Sequence, residues 1–243
     1  VALAAEKSAV DAGQAEKLIK EGSQRFIKAY CGKSPKQGNK CLADVAMRQA
    51  PFAVVVACSD SNGYGVDEKG IDLEILKQLK ERERRRIKDY VTYRKHAHYV
   101  DGGNVWEVPC QVAMPSATQN EINGKDAARL VKSGCIAVGE GANMPTTPEG
   151  IKVFLDAKIA YGPGKAANAG GVATSALEMQ QNATRDSWTF EYTEKRLAEI
   201  MRNIHQICYE AADEFGAPGN YVVGANTAGF IKVARAMIAQ GLV

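Results

Sequence analysis

An uninterrupted apolar run is the feature that most restricts how this chain can fold. Residues 52–58 read Phe-Ala-Val-Val-Val-Ala-Cys, with Pro51 before them and Ser-Asp-Ser-Asn-Gly after them. β-Branched side chains favour strands, and a strand that is apolar on both faces needs helices on both sides of its sheet. The run therefore predicts a buried, parallel strand.

Strand and helix patterns alternate along the rest of the chain. Short apolar runs predict strands near residues 110–114, 135–138 and 159–161. Helical periodicity predicts helices over residues 14–30, 41–49, 72–80, 83–95, 169–182, 190–215 and 225–240. Thr147-Pro-Glu149 is a typical helix start, and Gly216 is placed to end the helix over 190–215. The alternation predicts an α/β fold, doubly wound and Rossmann-like, with a mostly parallel sheet and helices on both faces.

The composition argues against several classes of function. A net charge of +3 is too small to indicate nucleic acid or a membrane surface as a partner. The basic run over residues 80–86 alternates with acids, so we interpret it as a solvated helix face. No apolar run approaches the roughly 18 residues of a spanning helix, and no signal-peptide pattern opens the chain. The six cysteines form no Cys-x-x-Cys pair, which favours a reduced, cytoplasmic setting, although Cys31 and Cys41 could pair if oxidised.

Polar turns rich in glycine and asparagine follow the predicted strands or open the predicted helices. The most informative turn runs over residues 165–175 and brings Asn168, two glycines and Ser175 to the start of an apolar helix. Such a turn can place backbone and short polar side chains against a flat ligand at a helix N-terminus. Turns of the same character are Pro115-Ser-Ala-Thr-Gln-Asn-Glu121, Gly139-Glu-Gly-Ala-Asn-Met-Pro145 and Gly224-Ala-Asn-Thr-Ala-Gly-Phe230.

Together these segments closely resemble the coenzyme domain of hexameric glutamate dehydrogenases, over about residues 59–243. The resemblance implies binding of a nicotinamide dinucleotide and of glutamate or 2-oxoglutarate, and it allows a homo-oligomer. It implies that Ala117, Thr118, Asn120 and Gly141 line the coenzyme path and that Asn143 and Asn168 hold the carboxamide end. It also implies that Val172 and Ser175 contact the substrate. Taken singly, Thr118 and Asn120 could instead cap the helix that begins near Gly124, and Ser175 could be a hydroxyl inside a helix.

The segment Ser59-Asp60-Ser61 bears on the choice of coenzyme. An acidic residue after such a strand normally meets the adenosine ribose. Ser61, with Lys80 or Arg82, could instead hold a 2′-phosphate, because hydroxyls and cations complement that charge. The segment resembles the NADP-using group of the family, so we expect NADP, with NAD as the alternative; alone, Asp60 could equally cap a turn.

No segment matches the parts of the family that perform the chemistry. The family has a glycine-rich segment whose lysine polarises the 2-oxo group, an aspartate that moves protons, and a G-x-G-x-x-G/A turn for the pyrophosphate. We find none of these, so we assign no catalytic residue and expect turnover by this chain alone to be weak or absent.

Residues 14–61 resemble something else, the start of a β-class carbonic anhydrase. There a strand ends in Cys-x-Asp-x-Arg with a zinc-binding cysteine; Cys58 and Asp60 match, but Asn62 stands at the arginine position. The spacing His205-x-x-Cys208 occurs far downstream, where a packed helix is the favoured interpretation. We therefore expect no zinc and hypothesise a chimera, with a helical arm and strand over residues 1–58 fused to a dehydrogenase-like unit over 59–243. A recombined structural protein without catalysis and a carbonic-anhydrase-like zinc protein are the alternatives.

Overall fold

The computed structural model describes residues 2–4 and 54–241, so the helices predicted over 14–30 and 41–49 and the pair Cys31 and Cys41 lie outside the described residues. The chain divides into two compact units, Val1–Gln111 and Val112–Val243. The boundary that we predicted near residue 58 stays a prediction. Both units combine strands with helices, and the α/β class is confirmed.

The first unit has an antiparallel arrangement of strands. These are β1 (Ala2–Ala4), β2 (Val54–Asp60), β3 (Gly63–Val66) and β4 (His98–Asp101), in the order β4-β3-β2-β1. β2 is the apolar run of the sequence, and its central residues are buried as predicted. The prediction that it lies parallel to its neighbours is wrong, because two residues, Ser61 and Asn62, turn the chain directly into β3. A connection that short can only join antiparallel strands.

The helices of the first unit are short. α1 (Leu73–Lys77) is capped by Asp72 and continues into a π-helical turn, Gln78–Arg82. A 3-10 turn, Ile87–Asp89, leads into α2 (Tyr90–Tyr93). The helix predicted over 83–95 is therefore wrong for its first turn, since Arg84 adopts a left-handed backbone with φ of 52° that interrupts helical hydrogen bonding. Residues 80–86 are all exposed, as the charge pattern predicted, although only part of the run is helical.

A buried carboxylate ties β3 to the segment after it. Asp67 is fully buried and accepts hydrogen bonds from the backbone N–H of Lys69 (3.0 Å), the hydroxyl of Tyr90 (3.1 Å) and Nε of Arg94 (3.2 Å). Nε2 of His96 lies 2.9 Å from Oδ1 of Asp67. Burial alone would raise the pKa of Asp67, but these hydrogen bonds outweigh burial and lower it. The ionised carboxylate is thus part of the native packing.

The second unit contains the parallel part of the fold. Strands β5 (Val112–Ala113), β6 (Ala137–Gly139) and β7 (Ala160–Gly162) pair in parallel in the order β5-β6-β7. Asn123 caps α3 (Gly124–Lys132), which joins β5 to β6, and Thr147 caps α4 (Pro148–Asp156), which joins β6 to β7. These two βαβ crossovers confirm the predicted strands and the helix start at Thr147.

Four helices follow β7: α5 (Gly164–Ala167), α6 (Gly170–Thr184), α7 (Phe190–Glu214) and α8 (Tyr221–Ala239). Gly216, with φ of 73°, ends α7 as predicted. α7 and α8 pack closely where they cross, because a Cβ at Gly224 would lie 1.9 Å from the carbonyl oxygen of Cys208. His205 stacks on Tyr221 with ring centroids 5.5 Å apart, and Cys208 is buried, so both belong to helix packing.

α8 is longer and more apolar than the sequence analysis allowed. By length and composition alone it could cross a membrane, contrary to our expectation that no segment approaches that limit. Little of the helix is buried in the second unit, and Phe230, Val233 and Ile238 are exposed. A helix of this kind is weak grounds for a membrane span, since helices of soluble proteins pass the same test. Its contact with α7 at Gly224 shows that one side is a packing surface.

The α7–α8 crossing predicts opposite effects for one substitution at two positions of α8. Gly224→Ala should lower the free energy of unfolding by about 2 kcal/mol or more, because a methyl group there overlaps the α7 backbone. At Gly229 no atom lies within 4 Å of the added Cβ, so Gly229→Ala should raise stability by about 0.5–1 kcal/mol through helix propensity. Urea unfolding followed by circular dichroism checks both values. Equal effects at the two positions would contradict the crossing.

Asp67 predicts a stability difference that depends on pH. Its folded pKa lies below its unfolded value of about 3.9, so its contribution is fully present above that value and is lost as the pH falls through the folded pKa. At pH 7, Asp67→Asn should cost about 2 kcal/mol or more, because Arg94 loses the nearer of its two ionic partners and the charged hydrogen bonds to Asp67 become neutral. The deficit should begin to shrink below about pH 4, where the carboxyl of the unfolded chain becomes protonated, and should become small below the folded pKa, where the native carboxyl is neutral as well. Glu68→Gln, at an exposed neighbour, is the control and should leave stability unchanged at every pH.

Candidate functional site

Three polar segments lie at the carboxyl ends of the parallel strands in the second unit. Residues 115–121 follow β5, residues 140–145 follow β6 and residues 163–168 follow β7. Since parallel strands end at the same edge of their sheet, these segments meet there. This is the position at which doubly wound folds bind ligands. Asn143 is exposed and Asn168 is half-buried, so both amides are accessible.

Backbone hydrogen bonds join the first two segments. The carbonyl of Pro115, which is fully buried, accepts from the N–H groups of Gly141 (2.8 Å) and Ala142 (3.1 Å). The N–H of Asn120 donates to the carbonyl of Met144 (3.0 Å). Gly141 allows this approach because a Cβ there would lie 2.4 Å from Oγ of Ser116. Ala117, Thr118 and Asn120 therefore belong to the same rigid edge as Asn143.

Backbone conformations at this edge are strained. Asn120 and Met144 adopt left-handed conformations, with φ of 56° and 50°. Asparagine tolerates this region, whereas an unbranched apolar side chain such as Met144 has no local compensation. Such residues cost of order 1–3 kcal/mol each and cluster at functional sites. Two of the five non-glycine residues with such conformations in the described part of the chain lie at this edge.

The proposed structural role of Thr118 and Asn120 as helix caps is wrong. The helix α3 is capped by Asn123, whose side chain accepts from the N–H groups of Lys125 (2.8 Å) and Asp126 (3.1 Å). Instead, the carboxylate of Glu121 folds the segment back by accepting from the N–H of Ala117 (3.2 Å). Burial raises the pKa of Glu121. Thr118 and Asn120 stay exposed at the edge and are not used as caps.

A buried carboxylate joins the second segment to the third. Glu140 is 3% exposed and accepts from the hydroxyl of Tyr161 (2.6 Å) and from the backbone N–H of Gly164 (2.5 Å). The N–H of Asn168 in turn donates to the carbonyl of Gly164 (2.9 Å). The sequence analysis did not single out Glu140. Its place between two glycines, directly after a strand, was the available signal.

The predicted substrate residues share one exposed face of α6. Val172 and Ser175 are three residues apart, which places them on the same side of a helix, and Val172 is 77% exposed. Ser175 does lie inside the helix, but on its exposed side. The neighbouring hydroxyl of Thr174 is bonded back to the carbonyl of Gly170 (2.8 Å). Ser175 is in the second turn of α6, about two helical turns beyond Asn168 along the chain.

The first unit holds the other predicted coenzyme residues, Ser59, Asp60, Ser61 and Lys80. Asp60 accepts from the N–H groups of Asn62 (2.9 Å) and Ile87 (3.0 Å). Burial would raise its pKa, but these bonds and the charges of Lys80 and Arg86 lower it, so Asp60 is ionised at neutral pH. Ser59 and Lys80 are exposed.

The hydroxyl of Ser61 accepts from Nη1 of Arg86 (2.9 Å), a residue that the sequence analysis missed. From the sequence we expected Lys80 or Arg82 to be the cation beside Ser61. We did not identify Arg86 because the basic run over residues 80–86 was interpreted as a solvated helix face. Arg86 and Ser61 are 25 residues apart in the sequence and meet only in the folded chain. Its neighbour Arg85 is already paired with Asp89 (3.0 Å) and Glu83 (3.4 Å).

The surroundings of Cys58 do not favour metal ligation. Burial raises the pKa of its thiol to about 11, and zinc binds the thiolate rather than the thiol. The thiol packs in a core cluster with Ile71, Leu79 and Tyr90. Within the described part of the chain, no three His, Cys, Asp or Glu side chains lie close enough to hold a metal ion.

The second unit also contains an apolar cavity of about 300 Å³. It lies between strands β5–β7 and α7, with Met201, His205 and Cys208 on the helix side. None of the predicted site residues lines it. Pro163, Ala166 and Ala167, from the segment after β7, do line it, so the cavity adjoins the polar edge.

Comparisons with known proteins identify the family of this chain. The family model of glutamate/leucine/phenylalanine/valine dehydrogenases matches residues 37–241. A glutamate dehydrogenase of Bacteroides thetaiotaomicron is 54% identical over 219 residues, which cover 85% of this chain and 49% of that protein. An NADP-specific glutamate dehydrogenase of Helicobacter pylori is 48% identical over 235 residues, covering 94% of this chain and 52% of that protein.

The fold agrees as well. The crystal structure of Plasmodium falciparum glutamate dehydrogenase superposes with a TM-score of 0.73 at 46% identity, covering 77% of this chain and 41% of that one. The chain thus spans about half the length of the relatives it matches. These findings give no support to a carbonic-anhydrase origin of the first residues or to a chimera. The chain belongs to the glutamate/leucine/phenylalanine/valine dehydrogenase family.

Proposed function

We propose that this chain is the coenzyme-binding part of an NADP-dependent glutamate dehydrogenase. In this proposal the full enzyme reductively aminates 2-oxoglutarate with ammonia by hydride transfer from NADPH. The observation that carries it is the polar edge of the second unit, where hydrogen bonds hold Asn143 and Asn168 on adjoining segments. The chain's resemblance to an NADP-specific relative over 94% of its length supports the choice of coenzyme.

The second unit would bind the nicotinamide end. A carboxamide has both a donor and an acceptor, and the amides of Asn143 and Asn168 complement each of them. When bound, the coenzyme supplies the hydride, while these side chains fix the orientation of its ring. Val172 and Ser175, on the exposed face of α6, would contact the substrate beside it. The hydroxyl of Ser175 can donate a hydrogen bond to a substrate carboxylate.

The first unit would bind the adenosine ribose. The pair of Ser61 and Arg86 fits a 2′-phosphate, because a hydroxyl and a guanidinium both donate to phosphate oxygens. Lys80 adds a second positive charge near Asp60. Asp60 holds the turn through two backbone N–H groups, and its remaining lone pairs can accept from a ribose hydroxyl.

Catalysis would need groups beyond those assigned here. A lysine that polarises the 2-oxo group and an aspartate that moves protons have no counterpart among our site residues. The relatives are about twice as long as the matched region, and we propose that the rest of such an enzyme supplies these groups. Assembly into a homo-oligomer and a cytoplasmic location also remain proposals.

The proposed 2′-phosphate site predicts a selective loss of affinity. Arg86→Ala should raise the Kd for NADPH by about tenfold to a hundredfold, because a charged hydrogen bond to phosphate is worth about 1.5–3 kcal/mol. The Kd for NADH, which lacks that phosphate, should change by less than about twofold. Titration calorimetry with both coenzymes measures the difference.

The matched control is Arg85→Ala. It removes the same charge one residue away, but Arg85 is already paired with Glu83 and Asp89, so its effect on NADPH should be small. If Arg86→Ala raises the Kd for NADPH and the Kd for NADH by the same factor, Ser61 and Arg86 do not bind the 2′-phosphate. If the wild-type chain binds NADH more tightly than NADPH, the assignment of NADP is wrong.

A further inference from the structure

Glu140 is a buried ionisable side chain for which the proposed function has no use. It lies directly after β6, and both of its carboxylate oxygens are occupied inside the protein by Tyr161 and Gly164. Burying a carboxylate is costly unless its oxygens accept hydrogen bonds that offset the cost. The two donors that do so here show what the carboxylate holds in place.

The partners of Glu140 are fixed donors. Tyr161 is 3% exposed, and its ring stacks on Phe154 with centroids 5.7 Å apart. Burial, together with the hydrogen bond to Glu140, raises the pKa of Tyr161, so its hydroxyl keeps its proton and donates it. Gly164 donates through its backbone, at the first residue of α5. One carboxylate thus joins the ends of β6 and β7 to the turn that follows.

Gly164 brings the hydrogen bond to Glu140 close to Asn143, the first of the two residues proposed to bind the carboxamide. A Cβ at Gly164 would lie 2.9 Å from the carbonyl oxygen of Ala142 and 3.4 Å from the backbone nitrogen of Met144, the two neighbours of Asn143. The absence of a side chain lets the two backbones touch. Gly164 also contacts Asn168, the second of the two residues proposed to bind the carboxamide. The backbone N–H of Asn168 donates to the carbonyl of Gly164.

We propose that Glu140 is a positioning residue that sets the separation of Asn143 and Asn168. The carboxylate of Glu140 accepts from Gly164 and so fixes the distance between the segment with Asn143 and the segment with Asn168. The carboxamide of the nicotinamide ring would bind to the two asparagines at that distance. The role concerns one end of the coenzyme alone. It rests on the proposed function, since it assumes that these asparagines meet the nicotinamide.

The test compares two ligands that differ only in the nicotinamide. NADPH carries the ring, and 2′-phospho-ADP-ribose has the same adenosine, phosphates and second ribose without it. Glu140→Ala should raise the Kd for NADPH by roughly tenfold or more, since two donors lose their acceptor and the turn is released. The Kd for 2′-phospho-ADP-ribose should change by less than about twofold. Titration calorimetry measures both, and thermal unfolding confirms that the variant is folded.

Glu140→Gln is the conservative variant. Its amide oxygen can accept from Gly164, and its NH₂ can donate to the hydroxyl oxygen of Tyr161 once that hydroxyl rotates. It should therefore recover most of the NADPH affinity that the alanine variant loses. Equal loss of both ligands in Glu140→Ala would mean a general folding role, and no loss of either would mean no role; each overturns the proposal, as does failure of the glutamine variant to rescue.

A second pair of variants keeps the proposal testable if Glu140→Ala does not fold. Gly164→Ala should weaken NADPH but not 2′-phospho-ADP-ribose, because its methyl group separates the two segments while the carboxylate stays in place. Gly162→Ala is the matched control, since its Cβ would meet nothing nearer than 3.7 Å. If Gly164→Ala binds both ligands as the wild type does, the spacing does not matter. A wild-type chain that binds neither ligand would reject the proposed function itself, a result distinct from these.

Discussion

The carbonyl oxygen of Pro115 is the acceptor on which the polar edge of the second unit depends. It is fully buried and receives two N–H groups from residues 141 and 142, so the segments after β5 and β6 are held together without side chains. Backbone hydrogen bonds of this kind constrain position more tightly than long flexible side chains do, because few dihedral angles remain free. The amide of Asn143 is therefore carried by a frame of backbone segments whose relative position is fixed.

Glycines make that frame possible, and they act through close approach more than through unusual dihedral angles. Gly141 and Gly164 let neighbouring backbones come within distances that a Cβ would forbid. The same device recurs far from the edge, where Gly224 lets α8 contact the backbone of α7. The strained conformations of Asn120 and Met144 lie within the same frame, whose packing and hydrogen bonds offset their cost.

Much of the second unit could be predicted from the sequence, because its signals are local. Thr147 begins α4, Gly216 ends α7, and polar turns follow each strand, as the pattern indicated. The first unit was harder. Its apolar strand suggested parallel neighbours, but the two-residue turn at Ser61 and Asn62 decides the pairing, and β3 and β4 carried too weak a pattern to predict.

Hydrogen bonds between residues that are far apart in the sequence were also not predicted, because their signals are not local. Arg86 reaches Ser61 across 25 residues, and Glu140 reaches Gly164 across 24. No periodicity encodes such contacts. The sequence does not show which arginine of a basic run contacts a distant serine in the folded chain. Nor does it show that both carboxylate oxygens of an acid between two glycines accept hydrogen bonds in the interior. The family resemblance located the segments, but it did not identify these two partners.

The charges around Asp60 show why coenzyme choice cannot be inferred from one acidic residue. An ionised carboxylate after a β-strand favours a ribose hydroxyl and repels a phosphate. Here the carboxylate already accepts two backbone N–H groups, and Arg86 and Lys80 place positive charge beside it. The negative charge of Asp60 is therefore partly offset, while the exposed guanidinium of Arg86 presents donors to solvent. The proposed 2′-phosphate would meet two cations and one anion here, and the guanidinium can donate to more than one phosphate oxygen.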